Sequence, residues 1–144
     1  MGKMSRNKGA RGEREILGIL QPVVDSVWSE MRPGHAIPVL RRNYTQRFES
    51  KQYDIIGLPW AAVEVKRCEN LSGIGSWWKQ VLAATRPGQT PILIYRQNHG
   101  KWRVRMKLGT KVGPKVLTLP VDITMDVFLV WFEYRLRAEL LMIE

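Results

Sequence analysis

The sequence predicts a mixed β-sheet flanked by helices, a fold of the α/β (α+β) class, built as one domain over residues 1–144. Three observations carry this. Apolar residues recur at helical spacing near both ends of the chain. The middle holds short apolar or alternating runs bounded by turn residues, as strands do. The pieces follow the order α-β-β-β-α-β-β-β-α, which places helices on a sheet. With 144 residues, 44% hydrophobic content and six tryptophans, the chain has enough apolar surface for a single core.

Each element has its own signal. Met1 to Arg11 is basic and glycine-containing, and is expected to begin as a mobile arm. From Gly12 a helical stripe emerges through Ile16, Leu17, Leu20, Val24 and Val27, with Pro22 expected to kink or break it. "RPGH" at 32–35 is a turn, followed by a short extended run, Ala36 to Leu40. A polar connection, "RRNYTQRFESKQ", leads to two strands at about Tyr53–Leu58 and Ala61–Cys68. Ser76 is placed to cap a helix that reaches Thr85, and "RPG" stops it. Pro91–Arg96 and Lys101–Leu108 read as a hairpin around "QNHG", with a further short strand near Val116–Leu119. Thr124 then caps a long apolar helix to about Ile143.

Composition narrows the partners. The chain has 23 Lys+Arg against 13 Asp+Glu, a net charge of +10, and fourteen of the cations are arginines. Forked guanidinium donors match phosphate geometry, so a polyanion, and nucleic acid in particular, is the expected partner. A single cysteine, Cys68, excludes an internal disulfide, and with two histidines cannot close a zinc site. No run approaches the roughly 20 apolar residues of a membrane span. The expected location is the cytoplasm, or a host's cytoplasm for a phage-encoded chain.

Against this basic background, "YDIIGLPWAAVEVKRCE" at 53–69 sets Asp54, Glu64 and Lys66 within the most apolar strands. Glu64 and Lys66 are two apart, so they share a strand face opposite Val63 and Val65. A three-residue loop, Leu58–Pro59–Trp60, would set Gly57 against Ala61 and Asp54 against Glu64, about 5 Å apart at Cβ. Two anions at that range repel unless a cation lies between them, and Mg²⁺ takes such oxygens from a protein. Lys66 beside that ion could orient a water and counter negative charge. The bland alternative is a turn aspartate with a solvated edge pair. Glu13 heads the helical stripe; it either complements the helix dipole or joins the two strand carboxylates.

Three stretches carry a resemblance. "KGARGEREIL", "YDIIGL" and "VEVK" resemble, in order and spacing, the first-helix, aspartate-strand and Glu-x-Lys motifs of the PD-(D/E)XK nuclease superfamily, closest to the Holliday-junction resolvases of archaea and phages. Tyr53 stands where the superfamily's proline would be. The resemblance covers Lys8 to about Gln80 and implies a restriction-endonuclease-like core with Glu13, Asp54 and Glu64 as metal-binding carboxylates. It implies further that Val65 offers its carbonyl to the metal, that Lys66 is the catalytic lysine, and that Gln80 is an accessory residue or a solvated helix position. The metal would be Mg²⁺, with Mn²⁺ able to substitute. The chain would act as a homodimer on branched DNA, a four-way junction above all, in recombination and repair.

Basic residues fit such a substrate. Lys101, Arg103, Arg105 and Lys107 alternate with Trp102, Val104, Met106 and Leu108, giving one cationic and one apolar strand face. They read as a phosphate track rather than a lysine-guarded edge, extended by Arg6, Lys8, Arg11, Arg41, Arg42 and Arg47. An apolar C-terminal helix with Phe128, Val130, Trp131 and Leu140 suggests the dimer surface. The rival readings are a same-fold nuclease for linear, flap or sequence-specific DNA, and a non-catalytic nucleic-acid-binding protein.

Overall fold

The computed structural model describes residues 3–43 and 53–143. Its elements follow the expected order: helix α1 (Lys3–Met31), strands β1 (Arg41–Arg42), β2 (Ile55–Ile56) and β3 (Ala61–Cys68), helix α2 (Ile74–Ala84), strands β4 (Thr90–Gln97), β5 (Arg103–Val112) and β6 (Lys115–Thr124), and helix α3 (Met125–Leu141). The strands form one mixed sheet in the order β1-β2-β3-β4-β5-β6. Only β3 and β4 run parallel, and α2 is the crossover their direction requires.

The sheet divides the apolar residues by strand parity. Ala61, Val63 and Val65 face the same way as Ile92, Ile94, Val104 and Met106, and this face packs against α1 and α3 in the main core. Leu93 and Tyr95 leave the opposite face and meet Trp78 and Val81 of α2 in a smaller cluster. Helix α1 contributes the stripe read from the sequence, with Ile16, Leu20, Val24 and Val27 all fully buried. Phe128, Phe132, Leu136 and Leu140 of α3 lie against it; Phe128 stacks on Phe132 with ring centroids 5.7 Å apart.

Several expectations need correction. Residues 3–11 are not an unstructured lead but the first turns of α1. Once the stripe from Gly12 onward is docked, each further turn is cheap to add, and the Arg, Lys, Met and Ala of that stretch are good helix formers. Pro22 does not end α1 either. The roughly 3 kcal/mol an interior proline costs is outweighed by burial of Leu20 before it and Val24 and Val27 after it. Ser76 does not cap α2; the cap is Gly73, which makes no side-chain capping bond. Thr124 does cap α3, accepting from the Val127 N–H at 3.3 Å.

The short strand expected near Val116–Leu119 is a ten-residue strand, paired with β5 from Arg103↔Thr124 to Val112↔Lys115. Its proline and exposed polar ends hide it from a pattern search. The run Ala36–Leu40 lies outside the sheet: Gln21 of α1 donates to the Pro38 carbonyl at 3.0 Å and accepts from the Leu40 N–H at 2.7 Å. Among the residues expected to face a second copy, Phe128 and Leu140 are interior.

Because α3 holds its place through these rings, Phe132→Ala is expected to cost about 3–5 kcal/mol of stability. Val112→Ser, on the exposed end of β5, should change it by less than about 0.5 kcal/mol. Denaturant unfolding followed by circular dichroism measures both; similar losses in the two variants would mean the core has been misplaced.

Candidate functional site

Strand β3 presents its far half to an unusual neighbour. Ile55 pairs with Val63, the register that sets Asp54 opposite Glu64, as the three-residue loop requires. Gly57 makes this turn possible: its φ is +119°, and a Cβ there would lie 3.0 Å from a Leu40 methyl and 3.1 Å from the Val39 carbonyl oxygen. β2 begins at Ile55, so beyond Val63 the edge of β3 is met by a side chain instead of a strand. The Val65 N–H donates to Asp54 Oδ2 at 2.7 Å. Asp54 in turn is fixed through its backbone, its N–H donating to the Val63 carbonyl and its carbonyl accepting from the Asn43 N–H, both at 2.8 Å.

Glu13, Asp54 and Glu64 are all buried, at 8%, 3% and 9% exposure. The Asp54 and Glu64 carboxyl groups lie close enough that Asp54 favours the protonated form of Glu64. Burial, and then the charge of Asp54, push the Glu64 carboxyl up to about 8. Lys66 Nζ lies 3.8 Å from Glu64 Oε1 and draws the other way. Burial also raises Glu13, against the hydrogen bond it accepts from Arg42 Nε. Glu13 lies within electrostatic reach of both Asp54 and Lys66.

The structure therefore brings Glu13, Asp54, Glu64 and Lys66 to one place. It does not close them into a metal cage: among the described residues no three acidic, histidine or cysteine side chains are grouped so as to hold an ion by themselves. Asp54 and Glu64 are the converging pair, and Glu13 is turned toward Arg42. Val65 sits in the main core, its N–H committed to Asp54. Gln80 is exposed on α2, whose buried side is Trp78, Val81 and Ala84, and it makes no hydrogen bond to the carboxylates.

The basic residues sort into two groups. Arg11, Arg41, Lys101, Arg103 and Lys107 are exposed. Arg42 is bound to Glu13, and Arg105 grips Asp122 through two hydrogen bonds of 3.0 Å, so neither is the open phosphate ligand that its sequence position suggests. Arg6 and Lys8 fall within α1, and Arg47 lies outside the described residues. Lys101 and Arg103 line an open cleft of about 410 Å³ with Arg96, Trp102 and the first residues of α3.

Sequence reasoning missed two residues. Asn43 is 7% exposed and donates to the Tyr53 carbonyl at 2.9 Å, tying β1 to the chain just before Asp54. Glu15 accepts from Arg67, Arg96 and the Trp102 indole at 3.0–3.2 Å, fastening α1 across β3, β4 and the start of β5. Its position off the apolar stripe was the available signal, since a carboxylate beside that stripe meets the sheet's rim.

The raised Glu64 carboxyl has a consequence for stability. A carboxyl whose folded value exceeds its unfolded one binds more protons when folded between the two, so its stabilising contribution is lost as pH rises through that window. For Glu64 the window runs from 4.5 to about 8. The metal-free protein is expected to lose thermal stability across it, and Glu64→Gln to flatten the decline. Melting curves at stepped pH read this directly; an equally steep decline in the variant would place the cause elsewhere.

No curated protein and no solved structure matches the chain. A family model does, over residues 4–135, from the first turns of α1 into α3 and across every strand of the site. Its description is "Phage putative PDDEXK endonuclease", and the chain, with its aspartate on β2's approach and its Glu-x-Lys on β3, belongs to that family within the PD-(D/E)XK superfamily.

Proposed function

We propose that this chain is a metal-dependent DNA endonuclease that hydrolyses phosphodiester bonds. The observation that carries the reading is the Asp54–Glu64 pair. Two hard carboxyl groups are buried beside each other, and an ammonium group lies 3.8 Å from one of them. Such a donor pair fits Mg²⁺, which binds through one or two carboxylates and completes its shell with water and substrate phosphate. Asp54 and Glu64 would hold the ion, with Mn²⁺ an acceptable substitute. When bound it polarises the phosphate and lowers the pKa of water.

The chain's own residues supply the rest. Asp54 is held by the Val65 N–H, which fixes the direction of its carboxyl group. Lys66 is partly exposed and able to meet a substrate at the rim of the site. Its ammonium would orient the attacking water and balance the charge that develops on phosphate oxygens. Glu13 serves as a positioning carboxylate through Arg42. The exposed cations Arg11, Arg41, Lys101, Arg103 and Lys107 would steer and seat the DNA backbone.

The finer reading is a branched substrate, a four-way junction, acted on by a homodimer. It is supported by the likeness of the three motifs to junction resolvases and by an apolar stripe on α3 at Val127, Val130 and Tyr134, which are 54%, 59% and 69% exposed. Cleavage of a labelled four-way junction against a linear duplex of equal length tests it; equal rates would remove the junction preference.

Asp54→Asn, Glu64→Gln and Lys66→Ala are each expected to reduce cleavage by about 10²-fold or more while DNA binding is retained. Chelation should abolish cleavage and added Mg²⁺ restore it. Full activity in all three variants would leave only a cationic DNA-binding protein.

A further inference from the structure

Strand parity carries the site beyond β3. In the parallel pairing Glu64 stands beside Leu93 and Lys66 beside Tyr95; in the antiparallel one Leu93 stands beside Arg105 and Tyr95 beside Arg103. Paired residues leave the same face of a sheet, and so do residues two apart on one strand. Glu64, Lys66, Arg103, Arg105, Lys107 and Lys111 therefore leave one face, the face on which α2 packs through Trp78 and Val81.

The β5–β6 hairpin extends this face past the rest of the sheet. From Lys107↔Pro120 to Val112↔Lys115 it is a two-stranded ribbon whose residues are all exposed. With Leu93 beside Arg105 and β4 beginning at Thr90, the ribbon projects beyond the N-terminal ends of β3 and β4. Lys111 lies six residues past Arg105, about 20 Å along the strand, and β5 is two strands from β3, about 10 Å across. The ribbon's other face is apolar, with Leu108, Leu117 and Leu119, and Lys115 at the tip is its single charge.

Charge differs between the two sides of the sheet. Lys79 of α2, Arg86 just after it, and Arg103, Lys107 and Lys111 are exposed, and no ion pair among the described residues involves them. The acids near them do not offset this charge. Asp122 is held by Arg105 and Tyr95, and Glu69 follows β3 at the end of the sheet away from the ribbon. On the opposite side α1 exposes Asp25 and Glu30, and α3 exposes Asp126. The α2 side is thus the one that joins an uncompensated positive surface to Glu64 and Lys66.

We infer that the DNA substrate lies across the α2 side of the sheet, with Arg103, Lys107 and Lys111 on its phosphates, so that the ribbon grips the duplex flank on one side of the cut. The inference rests on the chain being a DNA endonuclease. A phosphate at Lys111 would stand roughly six base pairs from one at the carboxylates, at about 3.4 Å per step along a strand. The contacts are to backbone, so the track adds affinity and orientation without base selectivity.

Lys111 and Lys115 share the tip of the ribbon and leave opposite faces, which separates a located track from a general positive field. The variants K107Q/K111Q and K115Q alter only exposed side chains. Affinity for a fluorescent linear duplex and for a four-way junction is measured by anisotropy across a salt series, without divalent cations. K107Q/K111Q is expected to bind at least about fivefold more weakly, and to reduce the slope of log K against log salt by about two, at about 0.9 per phosphate. K115Q is expected to keep the wild-type slope. A wild-type slope in K107Q/K111Q would overturn the track. So would a K115Q variant that loses as much slope per lysine, since the field would then be indifferent to the face. Because no cleavage is read, the nuclease reading fails separately, by a wild type that binds DNA and does not cut it.

Discussion

Asp54 and Glu64 cannot both be charged where they are without a cation, and much of the local structure follows from that. An isolated carboxylate in an apolar interior is so costly that it takes a proton or finds a partner. Here both occur: burial and the Asp54 charge favour a protonated Glu64, and Asp54 accepts from a backbone N–H. That N–H is available only because β2 is two residues long and leaves β3 after Val63. A longer β2 would satisfy Val65 through its backbone and orphan the aspartate. Short strand and buried acid thus depend on each other.

The same economy of charges fixes the helix over the sheet. Glu15 accepts from arginines on β3 and β4 and from the indole just before β5, and Arg96 also lies over the Trp102 ring at 5.4 Å. Gly12 lies at this contact, where a Cβ would meet Val65, Arg67 and Trp102 at ordinary packing distances of 3.5–3.6 Å. With α1 this close, Glu13, two residues before Glu15, is carried to the carboxylate pair, and Arg42 from β1 meets it. A cationic chain surrounds its few interior acids with arginines, and the arginines so used are lost to the surface.

How much of this was legible in the sequence depends on the range of the interaction. Periodicity is local, so the order of elements, the buried side of α1 and the alternation Trp102, Val104, Met106 could be read directly. The Asp54–Glu64 register followed from loop length alone, because a tight hairpin leaves one choice of pairing. The first turns of α1 and the length of β6 could not be read, since both are held by neighbours and not by their own pattern. The site was legible in membership and not in arrangement. Arg41 and Arg42 are indistinguishable as letters, yet only the second points inward to Glu13. Arg103 and Arg105 share a strand face, and only the register with β6 reveals that Asp122 stands opposite Arg105.

The charge that remains is densest on the β5–β6 hairpin. Arg42, Arg67, Arg96 and Arg105 are spent on Glu13, Glu15 and Asp122. Among the described residues the exposed cations outside any ion pair are Arg11 and Arg14 on α1, Arg41 on β1, Lys79 on α2, Arg86 after it, and Lys101, Arg103, Lys107, Lys111 and Lys115 on or beside the β5–β6 hairpin. Exposed charges act over about 8–10 Å at physiological salt, so a hairpin bearing five of them presents a continuous field along its length. Lys66, nearest the carboxylates, is also partly exposed. Acids inside and cations outside would oppose each other in a protein that only bound DNA, because the buried pair then costs stability and returns nothing. They are consistent in one that must draw a phosphate toward a site that binds cations.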